Sequence, residues 1–153
     1  MSMDIFKDHL ARFLMLLAAM LAAMSLYYGV ESILVSRPII TPIDPPFKIC
    51  NGYSTIKPGG VVCYKIHYYK RLDIPGEITK QLIIKDANGK EIYLPLEYSS
   101  GHLPTGDTQA QAYVLIPSWV PEGAAKIKLT SAHFTGRVRQ FATVYTEPFE
   151  VKK

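Results

Sequence analysis

Cys50 and Cys63 are the only cysteines in the 153 residues. They do not form the short Cys-x-x-Cys pair of a metal or redox site. No HExxH, P-loop or GxSxG pattern accompanies them. Alternation along Val61 to Lys70 puts Val62, Tyr64, Ile66 and Tyr68 on one face of a strand and Cys63 on the other, beside Lys65 and His67. An exposed free thiol is a liability wherever oxidation is normal. The two cysteines are therefore expected to bridge and to close a short hairpin around Pro58-Gly59-Gly60. Such a bridge contributes on the order of 3 kcal/mol by constraining the unfolded chain.

The other groups able to do chemistry are scattered. His9, His67, His102 and His133 lack the close spacing of metal ligands, so a site would need His67, His102 and His133 gathered across strands. Asp73 and Glu77 flank a turn with nothing nearby to make them an acid–base pair. Trp119, between Pro117 and Pro121, is expected to plug one end of a β domain. No catalytic residue, metal or cofactor is expected, and the chain reads as non-enzymatic.

The element that positions everything else is Phe13 to Val30, a run of eighteen residues without a charge. As a helix it rises about 27 Å, close to the ~30 Å hydrocarbon thickness of a bilayer. Ile33 to Val35 can extend it, and Tyr27 and Tyr28 suit the headgroup level. The reading is a cytoplasmic tail over 1–12, a signal-anchor helix over 13–35 and a proline-rich spacer over 36–46, part of which can also pair as a first edge strand. A β domain fills 47–153. The alternative is a cleaved signal peptide and a secreted domain. Short tail and folded C-terminal domain favour an N-in, C-out single pass, with the domain periplasmic or extracellular. Ala18, Ala22, Ser25 and Gly29 share one helix stripe where a second copy could approach closely.

From Arg37 onward there are 15 Lys and Arg against 10 Asp and Glu, a net of +5. That modest charge suits anionic headgroups or envelope polymers and argues against nucleic acid. After the spacer the apolar period becomes two. Strands are expected over Val61 to Lys70, Glu77 to Asp86, Glu91 to Tyr98, Thr108 to Ile116, Ala124 to Ser131, Arg137 to Tyr145 and Phe149 to Val151. Asn88-Gly89 marks a type I′ hairpin, and Pro95 belongs at an edge or a bulge.

The segment IPSWVPEGAAKIKL, Ile116 to Leu129, resembles the connection between the fifth and sixth strands of immunoglobulin-like and fibronectin-type-III-like domains. The closing EPFEV is similar to their last strand. The family's tyrosine before the sixth strand is replaced by Ala125-Lys126, and its Cys…Trp…Cys order is absent. The resemblance covers residues 47–151 and implies an antiparallel sandwich of about seven strands. A single span carrying one such domain resembles small envelope proteins of bacteria and their phages. In that lettering three loops share one end, bringing Lys70, Arg71, His102, His133, Phe134 and Arg137 together beside the N-terminal connection. The implied work is interaction or assembly at a cell or virion envelope, with the membrane and another envelope protein as partners. The second possibility is binding of carbohydrate or envelope polymer through Tyr53, Tyr69, Tyr93, Tyr98 and Trp119.

Overall fold

The computed structural model describes residues 3–50, 54–86, 88–136 and 138–153. The chain forms two compact units, Met1–Arg37 and Pro38–Lys153.

The first unit is a single helix, α1, Met3–Ser36. Leu, Ala and Met dominate it, all strong helix formers, and Pro38 stops its continuation. Its stretch Asp8–Ile33 is long and apolar enough to cross a membrane. Those 26 residues rise about 39 Å. Nothing between Met3 and Arg12 breaks a helix, and Asp8 and Arg12 pair one turn apart at 2.9 Å. The segment expected as a tail is thus helical from Met3 onward.

The second unit is mainly β, built from two sheets. The strands are β1 (Ile40–Pro42), β2 (Thr55–Ile56), β3 (Val61–Lys70), β4 (Gly76–Lys85), β5 (Glu91–Gly101), β6 (Gly106–Leu115), β7 (Gly123–Thr135), β8 (Val138–Tyr145) and β9 (Phe149–Val151). Sheet one has the order β1-β3-β6. Sheet two has the order β2-β9-β7-β4-β5, with β8 also paired to β7. The long β7 explains that branch: its first residues pair with β9 and its remainder, from Lys128, pairs with β8. Inward side chains of both sheets meet in one cluster, in which Val62, Tyr64, Leu82, Ile84, Ile116 and Ile127 have no exposed surface. Alternation thus set the buried face correctly on β3, where Val62, Tyr64 and Tyr68 are buried.

Four local readings are sharpened or changed. The edge strand that part of the spacer could supply is formed: Ile40 pairs with Lys70, the Ile43 amide donates to the His67 carbonyl at 2.8 Å, and Ile39 and Ile40 are buried. The spacer's prolines are tolerated because Pro42 lies on an edge strand. The Asn88-Gly89 turn spans three residues, not two. The Asp86 amide donates to the Lys90 carbonyl and Gly89, at φ 78°, takes the left-handed position. Asp86 Oδ1 holds the turn by accepting from the amides of Asn88 and Lys90, both at 2.9 Å. Trp119 is 67% exposed, while its neighbour Val120 fills the interior position.

The fourth change is at Cys50–Cys63. The bridge is present, with Cα atoms 5.2 Å apart, but it does not close a two-stranded hairpin. Ile49 makes a single antiparallel bridge with Tyr64. The chain then crosses to sheet two, where β2 runs parallel to β9. The disulfide pins this crossing segment to β3 of sheet one.

Pro95 lies on β5, an edge strand, next to a register shift where Gln81 faces Pro95 and Lys80 faces Glu97. Leu96 is the extra residue of a β-bulge. The bulge reverses the phase of the strand. Tyr98, expected inward with Leu94 and Leu96, therefore turns outward, and Glu97 takes the inner side opposite Lys80.

Candidate functional site

The loops expected to share one end do so. Ile40 and Gly106 both pair with Lys70, and Gly76 lies between Gly101 and His133. The connection from Arg37 enters the β unit at this end, since Ile40 opens β1 there. The six residues singled out at this end have different fates. Lys70 is 1% exposed, and its ammonium donates to the carbonyls of Ile74 and Leu103 at 2.8 and 2.9 Å. It stitches two loops together and is not available to a partner. Burial lowers its pKa, partly offset by Asp73.

His133 is also buried, its ring lying against Gly76, where a Cβ would fall 2.4 Å from Nε2. Gly76 is therefore needed for space. These two residues are corrections to the exposed basic end that the loops suggested: each is held inside by close packing. Arg71, half-buried, hydrogen-bonds the Pro38 carbonyl, His102 lies 3.4 Å from Asp73, and Phe134 is exposed. Arg137 and Tyr53 fall outside the described residues.

His133 has a consequence for acid stability. Burial and, secondarily, the Lys70 charge lower its pKa below 6.5. The unfolded chain then takes up a proton that the folded one refuses, so stability falls as pH drops below 6.5 toward the depressed folded value. Urea midpoints measured from about pH 7.5 down to 5.5 should decline, and His133→Asn should flatten the decline. An equal decline in the variant would refute this origin.

A second surface is better provided with exposed groups. Alternation and register place Tyr93 and Tyr98 of β5, Phe134 of β7, and Phe141 and Tyr145 of β8 on the outward face of sheet two. All five are exposed, Phe141 at 63% and Tyr98 at 62%. Tyr98, Thr79, Thr130 and Thr143 form a row across four strands, with the last two hydroxyls 3.3 Å apart. The guanidinium of Arg139 lies 5.2 Å from the Phe134 ring centre and 5.1 Å from that of Phe141, and pairs with Glu77. Lys126 Nζ lies 5.0 Å from the Tyr145 ring centre. Ring–cation contacts of this kind hold both partners in place at the surface.

Sequence reading named Tyr93, Tyr98 and Phe134 but missed Arg139, Phe141 and Tyr145. The missed signal is the i, i+2, i+4, i+6 series Arg139, Phe141, Thr143, Tyr145, which puts both rings and the cation on one side of β8. Of the other proposed stacking residues, Tyr69 belongs to sheet one and Trp119 to a turn, so they do not join this face. Histidines 67, 102 and 133 are not brought together. His67 pairs with Asp107 at 2.8 Å, and the described residues hold no group of three metal-type side chains.

No family model matches the chain, and no curated protein matches it. Among solved structures it is similar to the alkylpurine DNA glycosylase AlkC of Pseudomonas fluorescens, bound to DNA containing an abasic site analog. The TM-score is 0.47 at 9% identity, over 78% of this chain and 32% of that one. It is also similar to the sporulation control protein Spo0M of Bacillus subtilis, with a TM-score of 0.40 at 12% identity, over 74% of this chain and 49% of that one. The chain thus spans about a third and about half of their lengths. Likeness at this level transfers neither fold nor activity.

Proposed function

We propose that the chain is a non-enzymatic, single-pass membrane protein that holds an extracytoplasmic immunoglobulin-like β-sandwich at a cell or virion envelope. In this reading the sandwich docks another envelope protein through the outward face of sheet two. The helix Asp8–Ile33 supports the anchor, and the Cys50–Cys63 bridge fits an oxidising compartment. The observation that carries the docking role is the set of five exposed rings braced by Arg139 and Lys126. Aromatic residues and arginine are the side chains enriched where proteins meet.

The size of the face sets the strength of the contact. Four strands span about 14 Å and the nine residues of β7 from Lys126 to Phe134 about 27 Å, well short of the ~800 Å² per partner of a stable complex. Contact through this face alone is therefore weak, and confinement to the membrane layer supplies the effective concentration that makes it useful. A photoreactive residue placed at Tyr98 or Phe141 should crosslink a discrete protein in membranes. One at Tyr113, on the outer face of sheet one, should not. Arg139→Ala with Phe134→Ala should reduce the yield from Phe141 several-fold. Equal yields at all three positions would sink the docking face.

Polymer binding is the second reading, favoured by Tyr93 and Tyr98 on one exposed edge strand. It predicts retention on envelope polysaccharide that Tyr98→Ala abolishes, and no protein crosslink.

A further inference from the structure

The space between the two sheets is filled unevenly. Toward Gly123, Leu82, Ile84, Ile116, Ile127 and Val151 pack with essentially no exposed surface. Toward Gly101, the same pair of sheets leaves a half-open, mostly apolar pocket of about 220 Å³. Its wall runs from Tyr64 to Tyr68 on β3, about 13 Å along the strand, and across sheet two from Ser99 to Ala142. Small residues leave it open: Ala112, Ala142, Ser99 and Ser131 stand at inward positions where the other half carries Ile, Leu and Val.

A pocket left open between packed sheets and lined mainly by apolar groups can take an apolar guest. Two polar features mark the cavity. The Tyr64 hydroxyl is fully buried and has no hydrogen-bond partner among the described residues. Lys80 also lines it, with its side chain 15% exposed and its ammonium 2.5 Å from the half-exposed Glu97 carboxylate. That pairing exists because the Leu96 bulge turns Glu97 inward. One flank is sewn shut: the Ile39 amide donates to Gln140 Oε1, and Phe47 exchanges backbone hydrogen bonds with Tyr145 and Glu147. On the other flank β5 and β6 are unpaired edges of different sheets, and Lys80, Ser99 and Ala112 lie on that side.

We propose that this cavity is a binding site for one linear acyl chain of a free fatty acid, entering between β5 and β6, with its carboxylate at Lys80 and the Tyr64 hydroxyl. The apolar lining suits an aliphatic chain, and the Lys80 ammonium suits its carboxylate. A carboxylate can replace Glu97 on Lys80 and accept from the Tyr64 hydroxyl, which otherwise stays unsatisfied at appreciable cost. The site is independent of the docking face, which lies on the opposite side of sheet two.

The test uses the full chain in lipid nanodiscs with a diazirine-bearing palmitic acid. After illumination, crosslinked peptides are mapped by mass spectrometry. Labels are expected on β-unit peptides containing Ala112, Ser131 or Ala142, with competition by unlabelled palmitate. Ala142→Leu with Ser131→Leu should fill the slot and cut that labelling at least tenfold, while circular dichroism shows the fold retained. Tyr64→Phe, which keeps the packing, should reduce it several-fold. Labelling confined to α1, or β-unit labelling insensitive both to competition and to Tyr64→Phe, would overturn the proposal even if the filled variant does not fold.

Discussion

Replacing Cys50 and Cys63 together by serine should lower the unfolding free energy by about 3 kcal/mol, or the midpoint by about 10 °C. The effect is expected to be large because of what the bridge holds. Next to Cys50, Lys48 and Ile49 are held to β3 by the Ile49–Tyr64 bridge and the Lys65–Lys48 backbone hydrogen bond, and Phe47 pairs with Thr146. Thr55 and Ile56 are held by the two-residue pairing of β2 with β9. Without the disulfide these contacts act alone. Cys50 is buried, so serine there adds an unsatisfied hydroxyl to the loss. Thermal unfolding of the detergent-solubilised chain, oxidised against reduced and against the double variant, measures this. Coincident curves would show that the bridge carries no stability.

Gly123→Ala should be at least as damaging, costing about 3 kcal/mol or more. A Cβ at Gly123 would lie 2.1 Å from the Lys85 carbonyl oxygen, which is backbone and cannot swing aside, and φ is +154°. Gly123 also opens β7, where it pairs with Val151, so displacement there pulls on the strand that both β4 and β9 depend on. Gly89→Ala is the matched control. It too has positive φ, but its Cβ would meet nothing within 4 Å. It should cost only about 1–2 kcal/mol for the left-handed backbone. Equal losses from the two substitutions would show that close approach at Lys85 is not what demands glycine.

Much of the β unit could be read from alternation alone. The bounds of β3 and β9, the hairpin around Gly89 and the inward sets Val62–Tyr64 and Ile127–Leu129 follow from period two and turn chemistry. What escaped were features that alternation cannot express. The bulge at Leu96 inserts one residue and so turns Tyr98 out and Glu97 in. The path of the chain after Cys50 depends on a parallel pairing with β9, nearly a hundred residues away. Lys70 looks solvated in sequence because its basic neighbour and loop setting suggest a surface. Only the assembled end shows two carbonyls waiting for its ammonium. The spacer's prolines allowed an edge strand there, and Ile39 and Ile40 carry the apolar surface that draws it into the unit. The docking face was half visible, since β5 and β8 contribute their rings from segments that give no hint of lying on the same side of one sheet.

An anchored domain outside the cytoplasm is the premise on which both proposed surfaces depend. Amine-reactive labelling of cells with their outer layers removed, using a reagent that cannot cross the membrane, examines it directly. Exposed lysines of the β unit such as Lys57, Lys90 and Lys153 should be modified before lysis, with Lys7 modified only after it. The full-length chain should remain in the carbonate-washed membrane fraction. Modification of Lys7 with protection of the β unit, or release of the chain by the wash, would contradict the anchored, outward-facing arrangement.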